Sequence, residues 1–408
     1  MANPYQTIES SGSKTQSGLL AGTGKKAVVA MSGGVDSSVA ALLLKKQGYD
    51  VVGIALQTTD YSKYRNDKTG GNCCSVKDMD DARRVCEQLE IPFYVLDTEK
   101  TFDSAVVEYF VNDYLQGRTP NPCVVCNTKV KFNHLYKKAM DLGADYVATG
   151  HYARLSHEPE LGYVLWKSTD LEKDQTYFLF NLTQAQLERT LFPVGHLKKE
   201  EVRRIAEQNK LPVAGKPDSQ EICFVPANDY SNFIEKRTSE SQRAKGYIVN
   251  TENRVLGEHD GIYKFTVGQR KGLTEALETA RRLNIANPDD LYVIRLDPIK
   301  HLVVLGTERD LRRWGLLVNQ VNWIVPPDLR KTRKITVRIR HRAEPAAAEL
   351  RMLADDTAEI RFFEPQRAVT PGQACTFYDG NMVLGGGWIH EPIFVSESER
   401  PRTAELTL

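Results

Sequence analysis

Cys123 and Cys126 stand three residues apart in TPNPCVVCNTKVKF, behind Pro120 and Pro122 and ahead of Lys129 and Lys131. Asn127 and Thr128 can cap a helix over KVKFNHLYKKAMDLG, and a thiol at a helix N-terminus beside lysines is held largely as thiolate. Such a thiol is a nucleophile or a metal ligand. The spacing alone fits a zinc clip, a disulfide, a redox couple or half of an active site. A four-cysteine zinc site requires a second Cys-x-x-Cys, and the seven cysteines supply none, because Cys73-Cys74 in GGNCCS has the wrong spacing. That vicinal pair reads as incidental or redox-sensitive. Cys86 in DARRVCEQL and Cys375 in QACTFY read as small apolar core residues. Cys223, in GKPDSQEICFVP, remains as a core thiol or as a partner for the pair.

The second chemical candidate is AVVAMSGGVDSSVAALLL. A strand runs into Ser32-Gly33-Gly34-Val35-Asp36-Ser37-Ser38, and a helix starts there with Asp36 or Ser37 as its cap. Glycines let backbone N–H groups face inward, and the helix N-terminus adds roughly half a positive charge. The stretch reads as a phosphate cradle. No Gly-Lys-Ser/Thr follows, so it is not a Walker A loop.

These residues need a rigid frame. From Lys25 to about Leu155 short apolar strands (KAVVAM, VVGIAL, PFYVLD, ADYVATG) alternate with amphipathic helices, which predicts an α/β doubly wound parallel sheet. AVVA and VVGIAL suit strands buried on both faces. After about Asn228 short alternating runs (YIVN, LYVIRLD, HLVVLG, NQVNWIV, KITVRIR, AEIRFF) predict antiparallel β-structure, a barrel or sandwich. The expected division is a tail at 1–24, a nucleotide-binding domain at 25–228, a small central domain at 229–290, a C-terminal antiparallel β-barrel at 291–396 and a tail at 397–408. With 408 residues, 41% hydrophobic and 26% charged, the chain fits a soluble protein of two or three domains. No run reaches the ~20 apolar residues of a membrane helix, and the Ser/Gly/Thr-rich start has no signal-like apolar core. A cytoplasmic address without membrane contact follows, and an odd number of cysteines suits reduced thiols. Net charge is only +1, yet residues 330–342 (RKTRKITVRIRHR) carry seven Lys/Arg and no acid. In KITVRIRHR, Ile335, Val337 and Ile339 alternate with Thr336, Arg338 and Arg340, so one face packs while the other offers cations to phosphates.

The loop SGGVDSS resembles the PP-loop of the ATP pyrophosphatases, which activate a carbonyl oxygen as an adenylate. With GRTPNPCVVCNTKVKF, ATGHYAR, KDQTYFLF, GKPDSQEICF, FTVGQRKGL and TPGQA following in order, nearly the whole chain resembles the tRNA 2-thiouridylases. The resemblance implies that Ala30, Met31, Ser32, Gly33, Gly34, Val35, Asp36, Ser37 and Ser38 bind ATP with Mg²⁺, and that Leu56 and Gly150 line the adenine pocket. It implies Cys126 as catalytic thiol and Cys223 as persulfide carrier. Asn121, Pro122 and Cys123 would meet the target base, and His151, Lys173, Asp174, Gln175, Arg340, His341 and Gln373 would meet tRNA. A sulfur donor is implied too, either a cysteine desulfurase, a sulfur-relay protein or free sulfide, with the chain a monomer or weak dimer. Many family members carry Asp where this chain has Cys123. Cys123, Cys126 and Cys223 could therefore hold three irons of a [4Fe–4S] cluster, an alternative to the persulfide route. Two rival readings are a PP-loop ligase acting on a small metabolite and a non-catalytic RNA-binding protein. The first leaves the three cysteines and the basic strand unexplained, and tRNA-dependent pyrophosphate release would exclude the second.

Overall fold

KAVVA forms the first strand because each of its three central residues is apolar and meets a packed layer, above or below the sheet. In the computed structural model, Ala27, Val28 and Val29 are essentially inaccessible. The structure describes residues 24–59, 76–218, 222–285, 287–325, 332–354 and 356–393. The expected tails, apart from Gly24, and Cys73-Cys74 lie outside the described residues.

Strands β1 (Lys26–Ala30), β2 (Asp50–Gln57), β3 (Phe93–Asp97), β4 (Tyr146–Ala148) and, after an intervening hairpin, β7 (Thr190–Leu191) make a parallel sheet ordered β3-β2-β1-β4-β7. Helices α1 (Val35–Lys46) and α2 (Val76–Gln88) pack on one face through Val39, Ala40, Leu44, Ala82, Val85 and Cys86. On the other face Val28, Ile54 and Leu56 meet Phe102, Val106, Val130 and Leu135. The doubly wound sheet is thus present, with the glycine loop at the carboxyl end of β1.

The intervening hairpin, β5 (Ala153–Glu158) and β6 (Gly162–Lys167), leaves this domain and joins a different sheet. A central unit contains β8 (Gly246–Asn250), β9 (Val255–His259), β10 (Tyr292–Asp297) and β11 (Leu302–Gly306), ordered β10-β11-β8-β9. Here the structure differs from the sequence expectation, which put strands after 290 in the third unit. β11 pairs in parallel with β8, and Val293, Val303 and Leu305 share a core with Ile248, Leu256 and the helix Thr274–Arg282. A hairpin's local pattern does not name its non-local partner.

β12 (Arg312–Trp323), β13 (Arg333–Arg338), β14 (Ala346–Ala354), β15 (Thr357–Arg367), β16 (Ala374–Asp379) and β17 (Met382–Ile393) form the C-terminal antiparallel barrel, closed by β12 pairing with both β15 and β17. β6 attaches to it where Trp166 meets Met382. Among the described residues no helix is long and apolar enough to cross a membrane.

Candidate active site

The loop after β1 is shaped by two glycines and two serines. Gly33 adopts φ +70°, and a Cβ there would lie 2.1 Å from the Asp78 carbonyl oxygen, so only glycine fits. The helix starts earlier than its serines suggest. Gly34 is the N-cap of α1, Asp36 lies in its first turn, and no side chain caps it. Ser37 instead accepts the Ser32 N–H at 3.2 Å and donates to the Gly34 carbonyl at 3.2 Å, while Ser38 donates to the same carbonyl at 2.8 Å. The serines therefore fold the loop back on itself, and the first-turn N–H groups of α1, which have no carbonyl within the helix, face its mouth. Gly150 packs against this turn, with a Cβ position 2.5 Å from the Ser37 nitrogen. Leu56 is buried under the sheet's other face, in the cluster that Ala30 borders.

Charges ring the loop in two groups. Lys216 donates to the Gly33 carbonyl at 2.9 Å and pairs with Asp78 at 2.5 Å and Asp81 at 2.7 Å. Lys199 lies 2.8 and 2.9 Å from the two Asp36 oxygens and 2.7 Å from Asp218, which also pairs with Lys173 and Arg203, each at 3.0 Å. Partial burial opposes the Asp218 charge, but hydrogen bonds from Lys199 and Lys173 hold its carboxyl below the usual range. Tyr152 donates its hydroxyl to Asp36 at 2.9 Å and its N–H to Gln175 Oε1 at 3.0 Å.

KDQ at 173–175 is therefore a junction. Lys173 reaches Asp218, Gln175 holds Tyr152, and buried Asp174 accepts the Ser168 N–H at 3.1 Å, the Thr176 hydroxyl at 2.7 Å and Arg338 of the barrel at 3.4 Å. Burial outweighs these bonds and raises the Asp174 carboxyl above its ordinary value. The basic strand follows its predicted alternation, with Ile335, Val337 and Ile339 buried, but its arginines are less free than expected. Arg338 pairs with Asp174, and Arg340 donates to the Ala368 carbonyl at 2.7 Å and to Thr370 at 2.8 Å. His341 is exposed and lies on Phe178, with ring centres 4.5 Å apart. His151 is buried beside Phe132 and Phe192, its Nδ1 2.7 Å from the Thr149 hydroxyl. Burial, with the Lys131 ammonium adding to it, holds His151 well below the usual imidazole range, so it is neutral and brings no charge to a phosphate.

The cysteine loop is built differently from its sequence expectation. The helix begins at Pro122, with Asn121 as N-cap accepting the Val124 N–H at 3.4 Å. Asn127 and Thr128 lie inside it, in a π-helical stretch over Cys126–Leu135. Cys123 is thus in the first turn and exposed, and Cys126 is one turn on and half-buried. The Asn121 N–H donates to the Tyr109 hydroxyl at 3.2 Å, and its side chain reaches the Tyr177 hydroxyl at 3.4 Å. The barrel grips the same loop. Gln373 donates to the carbonyls of Thr119 at 3.0 Å and Pro120 at 3.1 Å, and the Thr119 N–H donates to the Pro371 carbonyl. Gln373→Ala would leave both carbonyls short of a donor and loosen the loop by about 1–3 kcal/mol. We expect amide hydrogen exchange over residues 119–124 to quicken roughly tenfold, with exchange at the glycine loop unchanged; faster exchange at the glycine loop instead would contradict this placement. Beside the loop opens a cleft of about 220 Å³, with Tyr109, Asp113 and Arg118 on one wall and Asn319, Gln320, Trp388 and His390 on the other.

Cys126 and Cys223 border one apolar cluster, the one containing Val28 and Leu56. Cys86 and Cys375 are core residues as expected, and burial pushes the Cys86 thiol up to about 12. Among the described residues no group of three or more His, Cys, Asp or Glu could hold a metal ion. Cys123, Cys126 and Cys223 are thus not gathered into such a group as they stand here. Residues not singled out from sequence are Lys199, Arg203, Lys216, Asp218, Tyr152 and Tyr177. Lys216 and Asp218 did lie inside the motif GKPDSQEICF, where two opposite charges on either side of Pro217, ahead of a candidate cysteine, were a signal.

The loop SGGVDSS at the carboxyl end of the first parallel strand places the protein in the PP-loop class of nucleotide-binding enzymes. Family models match in succession, the tRNA methyl transferase HUP domain over residues 25–227, the tRNA methyl transferase PRC-barrel domain over 231–307 and the aminomethyltransferase beta-barrel domain over 313–389. The second ends where β11 ends, in line with the strand pairing. The tRNA-specific 2-thiouridylase MnmA of Geotalea uraniireducens is 50% identical over 371 residues, covering 90% of this chain and 96% of that protein. Its counterpart in Acidobacterium capsulatum is 48% identical over 375 residues (88% and 98%), and that of Clostridioides difficile 44% over 373 residues (90% and 99%). This chain belongs to the tRNA-specific 2-thiouridylase family.

Proposed function

We propose that this enzyme uses ATP to replace the carbon-2 oxygen of the wobble uridine in lysine, glutamate and glutamine tRNAs by sulfur. The observation that carries the reading is that Cys126 and Cys223, about a hundred residues apart in sequence, border one apolar cluster beneath the strand that feeds the glycine loop. A carbonyl oxygen is a poor leaving group, so the uridine oxygen attacks the α-phosphorus of ATP and pyrophosphate departs. The loop N–H groups and the surrounding lysines stabilise the charge that develops. Asp36 is the loop carboxylate suited to hold Mg²⁺ together with the triphosphate, since Mg²⁺ commonly takes one or two carboxylates plus phosphates; the ion would neutralise charge on the leaving pyrophosphate.

Sulfur arrives as a persulfide on Cys223, supplied by a cysteine desulfurase, a relay protein or sulfide with an oxidant. In one route the Cys126 thiolate attacks the inner sulfur of that persulfide, releasing hydrosulfide, which adds to carbon 2 as AMP leaves. In the other the outer sulfur attacks carbon 2 first and Cys126 then cleaves the S–S bond. Both end in a Cys126–Cys223 disulfide, which a dithiol must reduce by two electrons. Asn121 and Pro122, fixed by Tyr109, Tyr177 and Gln373, and exposed Cys123 would face the target base. Exposed His341 and Arg342 at the end of β13 would meet the RNA backbone. Asp174 serves by joining the loop domain to the barrel through Arg338, Gln175 by holding Tyr152, and Arg340 by tying the chain after β13 to Ala368 and Thr370 inside the barrel. The test is mass spectrometry of wobble nucleosides from cells lacking the gene, in which 2-thiouridine should disappear. An unchanged level would sink the proposal, and tRNA-dependent pyrophosphate release by the purified protein separates it from simple RNA binding.

A further inference from the structure

Three cations converge on one carboxylate at the mouth of the glycine loop. Asp218 takes Lys199 at 2.7 Å and Arg203 at 3.0 Å on one oxygen and Lys173 at 3.0 Å on the other. Lys199 and Arg203 are one turn apart on the helix Lys199–Gln208, whose apolar residues Val202 and Ala206 pack in the cluster of α1. Both cations are therefore aimed at Asp218 by a fixed frame. Lys199 also spans to the loop itself, at both oxygens of Asp36. Among these five side chains three positive charges face two negative ones, and the Asp170 carboxylate stands beside them, accepting the Lys199 backbone N–H at 2.9 Å. Three cations held this close repel one another, and they share Asp218 while Lys199 also leans on Asp36 and Arg203 on the Ala214 and Lys216 carbonyls at 3.4 and 3.2 Å. An anion of higher charge and more oxygens suits them better. Asp218 itself lies on an irregular segment after Pro217, with about a quarter of its side chain exposed.

We propose that Lys173, Lys199 and Arg203 are the seat of the β- and γ-phosphates of ATP and then of pyrophosphate, and that Asp218 occupies this seat as an internal anion which the triphosphate displaces. This rests on the ATP-dependent reading above. Asp218 keeps the cations apart from one another's field when nucleotide is absent, sets a competitor against ATP, and on returning to its place expels pyrophosphate. Lys173 accordingly belongs to the phosphate end of the site.

Titration calorimetry of the full-length protein with inorganic pyrophosphate, and separately with a non-hydrolysable ATP analogue, tests the proposal. Asp218→Asn keeps the shape and removes the competing charge, so it should bind pyrophosphate at least threefold more tightly than wild type and release it more slowly. Lys199→Met and Arg203→Met should each bind it at least tenfold more weakly. Unchanged or weaker binding by Asp218→Asn overturns the proposal, as does failure of that variant to fold, because the carboxylate would then be part of the scaffold. Wild-type protein that binds neither probe would overturn the ATP reading itself; wild type that binds both, with no tightening in Asp218→Asn, overturns only the role given to Asp218.

Discussion

Cys126→Ser is expected to lose 2-thiolation by at least ~10³-fold while still releasing pyrophosphate once per tRNA. Cys126 borders the apolar cluster of β1 and β2 on the side away from α1, and it sits one turn into a helix whose start is pinned by Asn121, Tyr109 and Gln373. The residues of the glycine loop, Ser32 to Ser38, and the lysines bonded to it, Lys199 and Lys216, come from other elements. Activation of the uridine oxygen and delivery of sulfur are thus assigned to separate parts of the fold, and removing the thiol should stop the second without stopping the first. A serine hydroxyl is a far poorer nucleophile toward a persulfide and forms no disulfide with Cys223. Cys223→Ser should give the same separation, and the double variant should be no worse than either, since the two thiols act in one step. The measurement is quantification of 2-thiouridine in transcribed tRNA beside a pyrophosphate assay. Thiolation above about a tenth of wild type in Cys126→Ser would remove Cys126 from the chemistry.

Some of this architecture was open to reading from residue types and some was not, and the division follows the range of the forces involved. AVVA and VVGIAL are unbroken apolar runs, and only strands covered on both faces bury them, so the parallel sheet follows locally. Cys86 and Cys375 sit in apolar periodicity and are buried as that implies. Asn121-Pro122 is a cap followed by proline in the first helical position, a local signal that would have placed the helix start correctly ahead of Cys123. Lys173 and Asp218 stand in recognisable motifs, but the meeting of Lys173, Lys199, Arg203 and Asp218 carries no such local signal. The four are common surface residues up to 45 positions apart, and only the packing of the helix Lys199–Gln208 on α1 brings them together. The same holds for Asp174, whose buried carboxylate looks in sequence like any polar residue of a loop, and for β10 and β11, whose partner strand lies more than forty residues earlier.

Gly150→Ala is expected to weaken binding of an ATP analogue and tRNA-dependent pyrophosphate release by roughly 10²-fold while leaving tRNA binding intact. The family resemblance implies that Gly150 lines the adenine pocket, yet the geometry gives it a more stringent task. A methyl group there would lie 2.5 Å from the Ser37 nitrogen, 2.6 Å from the Asp36 carbonyl carbon and 3.0 Å from the Asp36 Cβ. None of these is the movable end of a long side chain. The first turn of α1 would have to shift, and overpacking of this kind costs about 1–3 kcal/mol even where the surroundings yield. The surroundings here yield poorly, because Asp36 is tied to Lys199 and Tyr152, and Ser37 to Ser32 and Gly34. Moving that turn turns the first-turn N–H groups away from the phosphates, and displacement of a reacting group by about 1 Å is enough for a ~10²-fold loss. The cysteine loop and the barrel surface are held by Gln373, Tyr177 and Arg338, none of which touches Gly150, so RNA affinity measured by filter binding should stay within twofold. ATP affinity within threefold of wild type would show that α1 accommodates the methyl group and that close packing at Gly150 does not set the cradle.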